Sequence, residues 1–241
     1  EKALLQDLDY ENGYSLYVGI PFCPSICLYC SFGSHPLERW TKRVDEYLDT
    51  LCKELTFIRE QMGARKLTTV YIGGGTPTTL EPEQLRRLLS HIQETFDFTW
   101  VKEYTVEAGR PDSITKEKLQ VMKEFPVTRI SVNPQTMNQK TLDVIGRKHT
   151  VEDTVNIFHM ARELGFDNIN MDLIIGLPGE GKEEVAHTLQ EVENLHPDSL
   201  TIHSLALKRA TRLNLFKDKY EEMSFENSQE IMEMTQQCAG N

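Results

Sequence analysis

Hydrophobic positions along the chain follow two alternating patterns. Short segments rich in β-branched and aromatic residues are each followed by longer segments with apolar residues every three or four positions. The first pattern is typical of strands and the second of amphipathic helices. The predicted strands span residues 15–20, 68–74, 103–108, 129–135, 168–176 and 199–205. The predicted helices span residues 38–61, 82–95, 115–124, two short stretches ending at 164, 182–194 and a last segment from about 225.

Six strand-then-helix units in sequence favour an α/β fold with a parallel sheet and right-handed crossovers. The chain has no Gly/Ser-rich linker and no low-complexity segment, so we predict one core domain over residues 15–224. Residues 1–14 form a lead-in, and residues 225–241 are predicted to form a C-terminal helix that leads to a further domain. Because the chain begins without Met and stops just after a helical run, we expect it to be a piece of a longer protein.

One face of the predicted sheet is polar, although parallel strands covered on both sides are usually apolar throughout. Successive side chains of a strand point to opposite faces. The polar positions that share a face are Glu103, Thr105, Glu107, Arg129, Ser131, Asn133, Gln135, Asn170, Asp172, Ser199, Thr201 and His203. Either this face meets water, or the sheet curls into a barrel whose lumen holds polar ligands. We favour the barrel because the polar residues fall on four different strands.

The charge balance restricts the possible partners. The chain has 37 acidic and 26 basic residues and a net charge of −11. No basic stripe is present, which argues against a nucleic-acid duplex as partner. No apolar run approaches the roughly 20 residues of a membrane span. The first twelve residues are charged and lack the apolar region of a secretory signal, so we expect a cytoplasmic location.

Three of the five cysteines lie within eight residues, in the segment CPSICLYC at 23–30. Such a chain does not indicate a disulfide framework. The pair Cys27 and Cys30 alone suits thioredoxin-type redox chemistry or half of a zinc site. A closed zinc site requires a fourth ligand, from His35 or a more distant residue, because the chain has no second C-x-x-C. Three thiolates also suit a [4Fe–4S] cluster in which the fourth iron stays open to a ligand.

The spacing C-x3-C-x2-C with an aromatic residue before the last cysteine resembles the signature of the radical S-adenosylmethionine (radical SAM) enzymes. GGGTP at 73–77 fits this resemblance, because glycines let the backbone approach a ligand closely. YVGIPFC before the cysteines, GRKHT at 146–150 and MDLIIGLPG at 171–179 are similar to the coproporphyrinogen dehydrogenase group. That group includes oxygen-independent coproporphyrinogen III oxidases, haem chaperones and anaerobic haem-degrading methyltransferases. The resemblance covers residues 17–206 and implies a partial (β/α)6 radical SAM barrel.

The resemblance also implies a site, residue by residue. The metal ligands of a [4Fe–4S] cluster would be Cys23, Cys27 and Cys30. The residues implied to bind S-adenosylmethionine (SAM) are Tyr17, Gly74, Gly75, Thr76, Glu107, Gln135, Arg147, Asp172 and Ala206. Three of these, Glu107, Gln135 and Asp172, also lie on the polar face that the strand alternation predicts.

Five further residues are assigned from their positions alone. Arg110, Lys208 and Arg209 follow predicted strands and are candidates to bind substrate carboxylates at the barrel mouth. We expect His149 and His203 to be structural.

The activity implied by the resemblance is reductive cleavage of SAM followed by hydrogen abstraction from a tetrapyrrole. The first choice is oxidative decarboxylation of coproporphyrinogen III propionates, with a low-potential electron donor of flavodoxin or ferredoxin type. Ser31 and Phe32 follow the last motif cysteine, where some oxidases of the group carry another cysteine. The group's C-terminal substrate-covering domain is also missing from this sequence. The alternatives are a haem chaperone, a haem-degrading methyltransferase, and a zinc or redox protein without a cluster.

Overall fold

A six-stranded parallel sheet organises the chain, whose computed structural model describes residues 11–31, 35–206, 209, 211–215 and 229–239. Its strands follow the order of the sequence from one edge to the other. They are β1 (Gly13–Ile20), β2 (Lys66–Gly74), β3 (Glu103–Gly109), β4 (Arg129–Gln135), β5 (Ile169–Ile175) and β6 (Ser199–Ser204). Every neighbouring pair is parallel. The predicted α/β class and its six strands are therefore confirmed.

Helices return the chain from the end of each strand to the start of the next. They are α1 (Val44–Met62), α2 (Pro82–Thr95), α3 (Lys116–Lys123), α4 (Gln139–Val144), α5 (Val151–Glu163), α6 (Lys182–Leu195) and α7 (Gln229–Ala239). A short helix, Leu37–Trp40, comes before α1, and another, Arg212–Leu215, follows β6. The boundaries have local causes: Thr150 Oγ1 accepts the N–H of Asp153 at 3.0 Å, and the Asp153 carboxylate accepts the N–H of Thr150 at 2.7 Å. This capping box starts α5.

The hydrophobic core lies between the sheet and the helices. Leu16, Val18 and Ile20 of β1 alternate with more exposed residues and are buried. Each side chain of this size contributes about 1.5–3 kcal/mol when it is removed from water. The opposite face of the sheet carries the polar side chains and surrounds a cavity lined from five of the six strands. The predicted partial barrel with a polar lumen is thus confirmed.

The strand ends on one side of the sheet are irregular. Pairing shifts register between Glu107 and Gly109 at the end of β3, and between Val132 and Gln135 at the end of β4. Such irregularities bend a strand and redirect its side chains. The predicted last helix is present from Gln229, and residues 225–228 of the prediction lie outside the described part of the chain. Among the described helices, none is long and apolar enough to cross a membrane.

Candidate functional site

A cavity of about 580 Å³ opens at the carboxyl ends of the strands. Parallel α/β folds place ligand sites at this edge of the sheet. Every predicted site residue except Tyr17 lines the cavity: Cys23, Cys27, Cys30, Gly74, Gly75, Thr76, Glu107, Gln135, Arg147, Asp172 and Ala206. Residues far apart in the sequence therefore meet in one place. Their individual roles remain predictions.

The cysteines lie on an extended loop, which we call the cysteine loop (residues 21–31). Cys23 and Cys27 are buried and Cys30 is half-buried. Backbone hydrogen bonds hold the loop at its centre: Leu28 N–H donates to the Ile145 carbonyl at 2.9 Å, and the Leu28 carbonyl accepts from Leu213 N–H at 2.9 Å. The loop is thus attached to segments that follow β4 and β6.

The glycine turn after β2 lies directly against the cysteine loop. Gly75 N–H donates to the Ile20 carbonyl at 2.7 Å, and Thr76 N–H donates to the Phe22 carbonyl at 2.8 Å. A Cβ atom at Gly75 would lie 2.9 Å from Cys23 Sγ and 2.6 Å from the Phe22 carbonyl oxygen. No side chain fits there, so the turn leaves a cradle beside this sulfur, and Thr76 Oγ1 lies 3.6 Å from it.

The donor set consists of three thiols, the ligand type that iron–sulfur clusters use. Among the described residues, no three His, Cys, Asp or Glu side chains are placed to hold one metal ion. Three sulfurs around one cavity, with glycine beside the first, therefore fit an iron–sulfur cluster.

A carboxylate at the end of β3 faces the glycine turn. The Tyr71 hydroxyl donates to Glu107 Oε1 at 2.5 Å, and the backbone N–H of Gly74 also donates to this carboxylate. Burial raises the pKa of Glu107, the Tyr71 hydrogen bond lowers it, and the nearby Asp172 charge raises it. Tyr71 shares a strand face with Gly73, but no sequence pattern distinguishes it as a site residue.

Tyr17 lies outside the cavity, on the rim next to β2. Its ring stacks on that of Tyr71 at 5.8 Å between centroids, and the residue is 63% exposed. Its predicted contact with SAM stays a prediction.

Two residues around β4 carry polar atoms without partners. Gln135 is buried with φ of 72°, a left-handed conformation rare outside glycine, and its Oε1 accepts no hydrogen bond from the described residues. Arg147 is also buried: its guanidinium donates to the Asn133 carbonyl and to the Tyr29 hydroxyl, while its Nε finds no partner in the same part of the chain. Buried polar atoms are normally satisfied, so these atoms indicate room for a polar ligand.

The Asp172 carboxylate is oriented by Asn170, which lies two residues earlier on the same face of β5. Asn170 Nδ2 donates to Asp172 Oδ1 at 2.6 Å and to Ser131 Oγ at 2.9 Å. Its Oδ1 accepts from the hydroxyls of Ser199 and Thr201 at 3.0 and 3.1 Å. Burial raises the pKa of Asp172, and the Asn170 hydrogen bond acts in the opposite direction. Asn170 thus joins three strands behind a candidate ligand-binding carboxylate.

Arg110 lines the cavity, as its predicted place at the barrel mouth requires, and its role toward a substrate stays a prediction. Arg110 is 3% exposed, forms an ion pair with Asp112, and donates to the cysteine loop. Lys208 lies outside the described residues, and Arg209 is exposed. His149 is buried as expected of a structural residue, and burial together with Arg147 lowers its pKa to about 4.

The chain belongs to the radical SAM superfamily, whose pattern it matches over residues 17–192. This family implies SAM and an iron–sulfur cluster as cofactors. Among curated relatives, the chain is 46% identical to the oxygen-independent coproporphyrinogen-III oxidase-like protein HemZ of Bacillus subtilis over 92% of this chain and 45% of that protein. It is 38% identical to the heme chaperone HemW of the same species, over 82% of this chain and 52% of the relative. The predicted resemblance to this group is confirmed.

Solved structures agree with the fold. Coproporphyrinogen III oxidase (HemN) from Escherichia coli matches with a TM-score of 0.82 and 30% identity, over 98% of this chain and 54% of that chain. Methylornithine synthase (PylB), at 12% identity and a TM-score of 0.65 over 98% of this chain and 65% of that chain, shares the fold alone. The chain spans about half the length of the curated relatives it matches.

Proposed function

We propose that this chain is the catalytic core of a radical SAM enzyme that acts on a tetrapyrrole. The observation that carries the proposal is the meeting of the three motif cysteines with the polar strand ends in one cavity. Cys23, Cys27 and Cys30 would hold a [4Fe–4S] cluster. A bound cluster and SAM together supply reductive cleavage of the sulfonium and abstraction of a substrate hydrogen.

The residues of the chain would position SAM rather than transform it. The glycine turn offers backbone polar groups and space next to Cys23, which suits the amino-acid end of SAM. Asp172 presents a carboxylate of fixed orientation, which suits a pair of ribose hydroxyls. Gln135 Oε1 and Arg147 Nε supply further unsatisfied polar atoms, an acceptor and a donor.

The preferred reaction is oxidative decarboxylation of coproporphyrinogen III, in which a propionate side chain loses carbon dioxide and becomes a vinyl group. The support is the naming of relatives at 46% and 33% identity as an oxidase-like protein and an oxidase. A flavodoxin- or ferredoxin-type protein would donate the electron, and the reducing cytoplasm is the compartment that suits such a cluster. We further propose that a domain beyond residue 241 covers the substrate.

A haem chaperone is the second candidate. Two observations favour it: the 38% identity to a heme chaperone, and the phenylalanine at position 32, two residues after the last motif cysteine, where some oxidases of the group carry another cysteine. Haem-degrading methyl transfer by a member of the same group is a variant of the enzyme proposal.

Cluster assembly is the first test. The chain is reconstituted anaerobically with iron and sulfide, reduced with dithionite, and studied by EPR with and without SAM. A [4Fe–4S] signal whose g-values move on addition of SAM supports an open iron, and Cys27→Ser should abolish it, whereas Cys52→Ser should not. Zinc in place of iron, or a signal that ignores SAM, would contradict the proposal.

The substrate is tested on a chain that includes the downstream sequence. Release of carbon dioxide and formation of vinyl groups from coproporphyrinogen III would identify the oxidase. Tight haem binding without that turnover would identify the chaperone, and SAM-dependent opening of the haem ring would identify the methyltransferase.

A further inference from the structure

A buried guanidinium lies directly behind the cysteine loop. Arg110 is the first residue after β3 and is 3% exposed. Its Nε and Nη2 donate to the two carboxylate oxygens of Asp112 at 2.9 and 2.8 Å. This fork fixes both the position and the plane of the guanidinium.

The remaining side of the same guanidinium faces the cysteine loop. Arg110 Nη1 donates to Ser25 Oγ at 2.8 Å and to the Ser25 carbonyl at 3.1 Å, and it also donates to Cys27 Sγ at 3.6 Å. The cation therefore lies between a carboxylate and the sulfur of a predicted cluster ligand. Since Cys27 is also buried, little water separates these charges.

Arg110 is the cation that faces both Asp112 and the Cys27 sulfur. His149 Nδ1 lies 4.0 Å from Asp112, but burial and Arg147 lower the pKa of His149 to about 4, so this ring adds no positive charge near pH 7. Arg110 is thus the group that both compensates Asp112 and donates to Cys27. The two bonds to Ser25 would be enough to hold the cysteine loop in place. The additional N–H that points at Cys27 Sγ acts on the predicted cluster ligand.

We propose that Arg110, held by Asp112, is a positioning residue that donates a hydrogen bond to the Cys27 thiolate and raises the reduction potential of the bound cluster. This inference rests on the proposed function, in which Cys27 is a cluster ligand. Reduction adds negative charge to the cluster, and hydrogen bonds to its sulfurs and nearby net charge determine its potential. A cation in a buried setting favours the reduced state because its field is weakly screened.

The test is a pair of substitutions with opposite expected signs. Arg110→Gln keeps a donor for Ser25 but removes the positive charge, whereas Asp112→Asn leaves that charge uncompensated. Each full-length protein is reconstituted anaerobically, and its reduced fraction is followed by EPR during a redox titration. At the wild-type midpoint, the ratio of reduced to oxidised cluster should fall about tenfold in Arg110→Gln, because the more negative reduced cluster loses a nearby cation and a charge-assisted hydrogen bond. The same ratio should rise in Asp112→Asn.

The control variant is Arg110→Lys, which retains the charge without the fork and should restore part of the lost ratio. Iron and sulfide contents are measured in parallel, so that loading is separated from potential. If Arg110→Gln loads no cluster, the Asp112→Asn and Arg110→Lys titrations decide the question. Loaded variants with unchanged potentials, or shifts of the same sign in Arg110→Gln and Asp112→Asn, would overturn the inference and leave the proposed function standing. A wild-type protein that forms no cluster would overturn both.

Discussion

Replacing Gln135 by glycine should release backbone strain and at the same time weaken SAM binding. Gln135 closes β4 with φ of 72°, after the shift in register that begins at Val132. Left-handed backbone costs an L-residue with a side chain roughly 1–2 kcal/mol. The surrounding structure imposes this conformation, which directs the side chain into the cavity. Strain of this kind concentrates at ligand sites.

The comparison that isolates the strain is Gln135→Gly against Gln135→Ala. Both variants remove the same buried amide and its unpartnered oxygen, so that contribution cancels. At an ordinary strand position glycine is less stable than alanine by roughly 0.5–1 kcal/mol. At a φ of 72°, glycine avoids the roughly 1–2 kcal/mol of left-handed strain that alanine retains. The difference makes Gln135→Gly the more stable variant by up to roughly 1.5 kcal/mol.

Two assays separate the two effects. Urea unfolding of the cluster-free chain reports the strain, and SAM titration of the reconstituted protein, followed by EPR, reports the loss of the side chain. Both variants should bind SAM about tenfold more weakly, the equivalent of one hydrogen bond of about 1–1.5 kcal/mol. Greater stability of the alanine variant would refute the strain argument. Wild-type SAM affinity in either variant would refute the role of the amide.

Three further perturbations test the site. Gly75→Ala should destabilise the chain by roughly 1–3 kcal/mol through overpacking and reduce its iron content, whereas Gly19→Ala, whose Cβ meets only an ordinary contact of 3.4 Å, should load normally. Because the pKa of His149 is lowered to about 4 in the folded chain, stability should fall as the pH drops from 7 to 4. This loss should be about 3 kcal/mol larger than in His149→Leu, by urea unfolding at both pH values; equal losses would contradict it. Tyr71→Phe removes a hydrogen bond that lowers the pKa of Glu107, so this pKa should rise in an NMR titration of the carboxyl carbon; an unchanged value would exclude that bond.

Much of the fold could be predicted from the sequence because it depends on local patterns. The alternation of polar residues on β4 and β5, seen in Ser131, Asn133 and Asn170, indicated a lumen before any strand was placed. The cysteine spacing predicted which sulfurs share a cavity, since three ligands within eight residues cannot separate far. These signals repeat over short distances along the chain and need no knowledge of tertiary contacts.

The residues that the sequence could not place depend on contacts between distant segments. Arg110 resembles a surface cation after a strand, and only the fold shows that Asp112 and Ser25 enclose it. Similarly, no residue pattern predicts that the backbone of Gln135 is left-handed, because glutamine rarely adopts that conformation. Tyr17 was assigned to the SAM site from its motif position, and its exposed place beside Tyr71 follows from the edge position of β1.

The two backbone bonds at Leu28 have a consequence for the order of events during synthesis. The amide partner Leu213 follows Leu28 by 185 residues (213 − 28), and the carbonyl partner Ile145 by 117 (145 − 28). At a synthesis rate of about 5–20 residues per second, the cysteines leave the ribosome roughly 10–40 s before the last of these partners. During that interval the cysteine loop lacks one or both of its backbone contacts at Leu28, although the glycine turn at Gly75 and Thr76 is synthesised much earlier. Iron insertion into the finished geometry must therefore follow the completion of the domain, and oxidation of the nascent thiols competes with it.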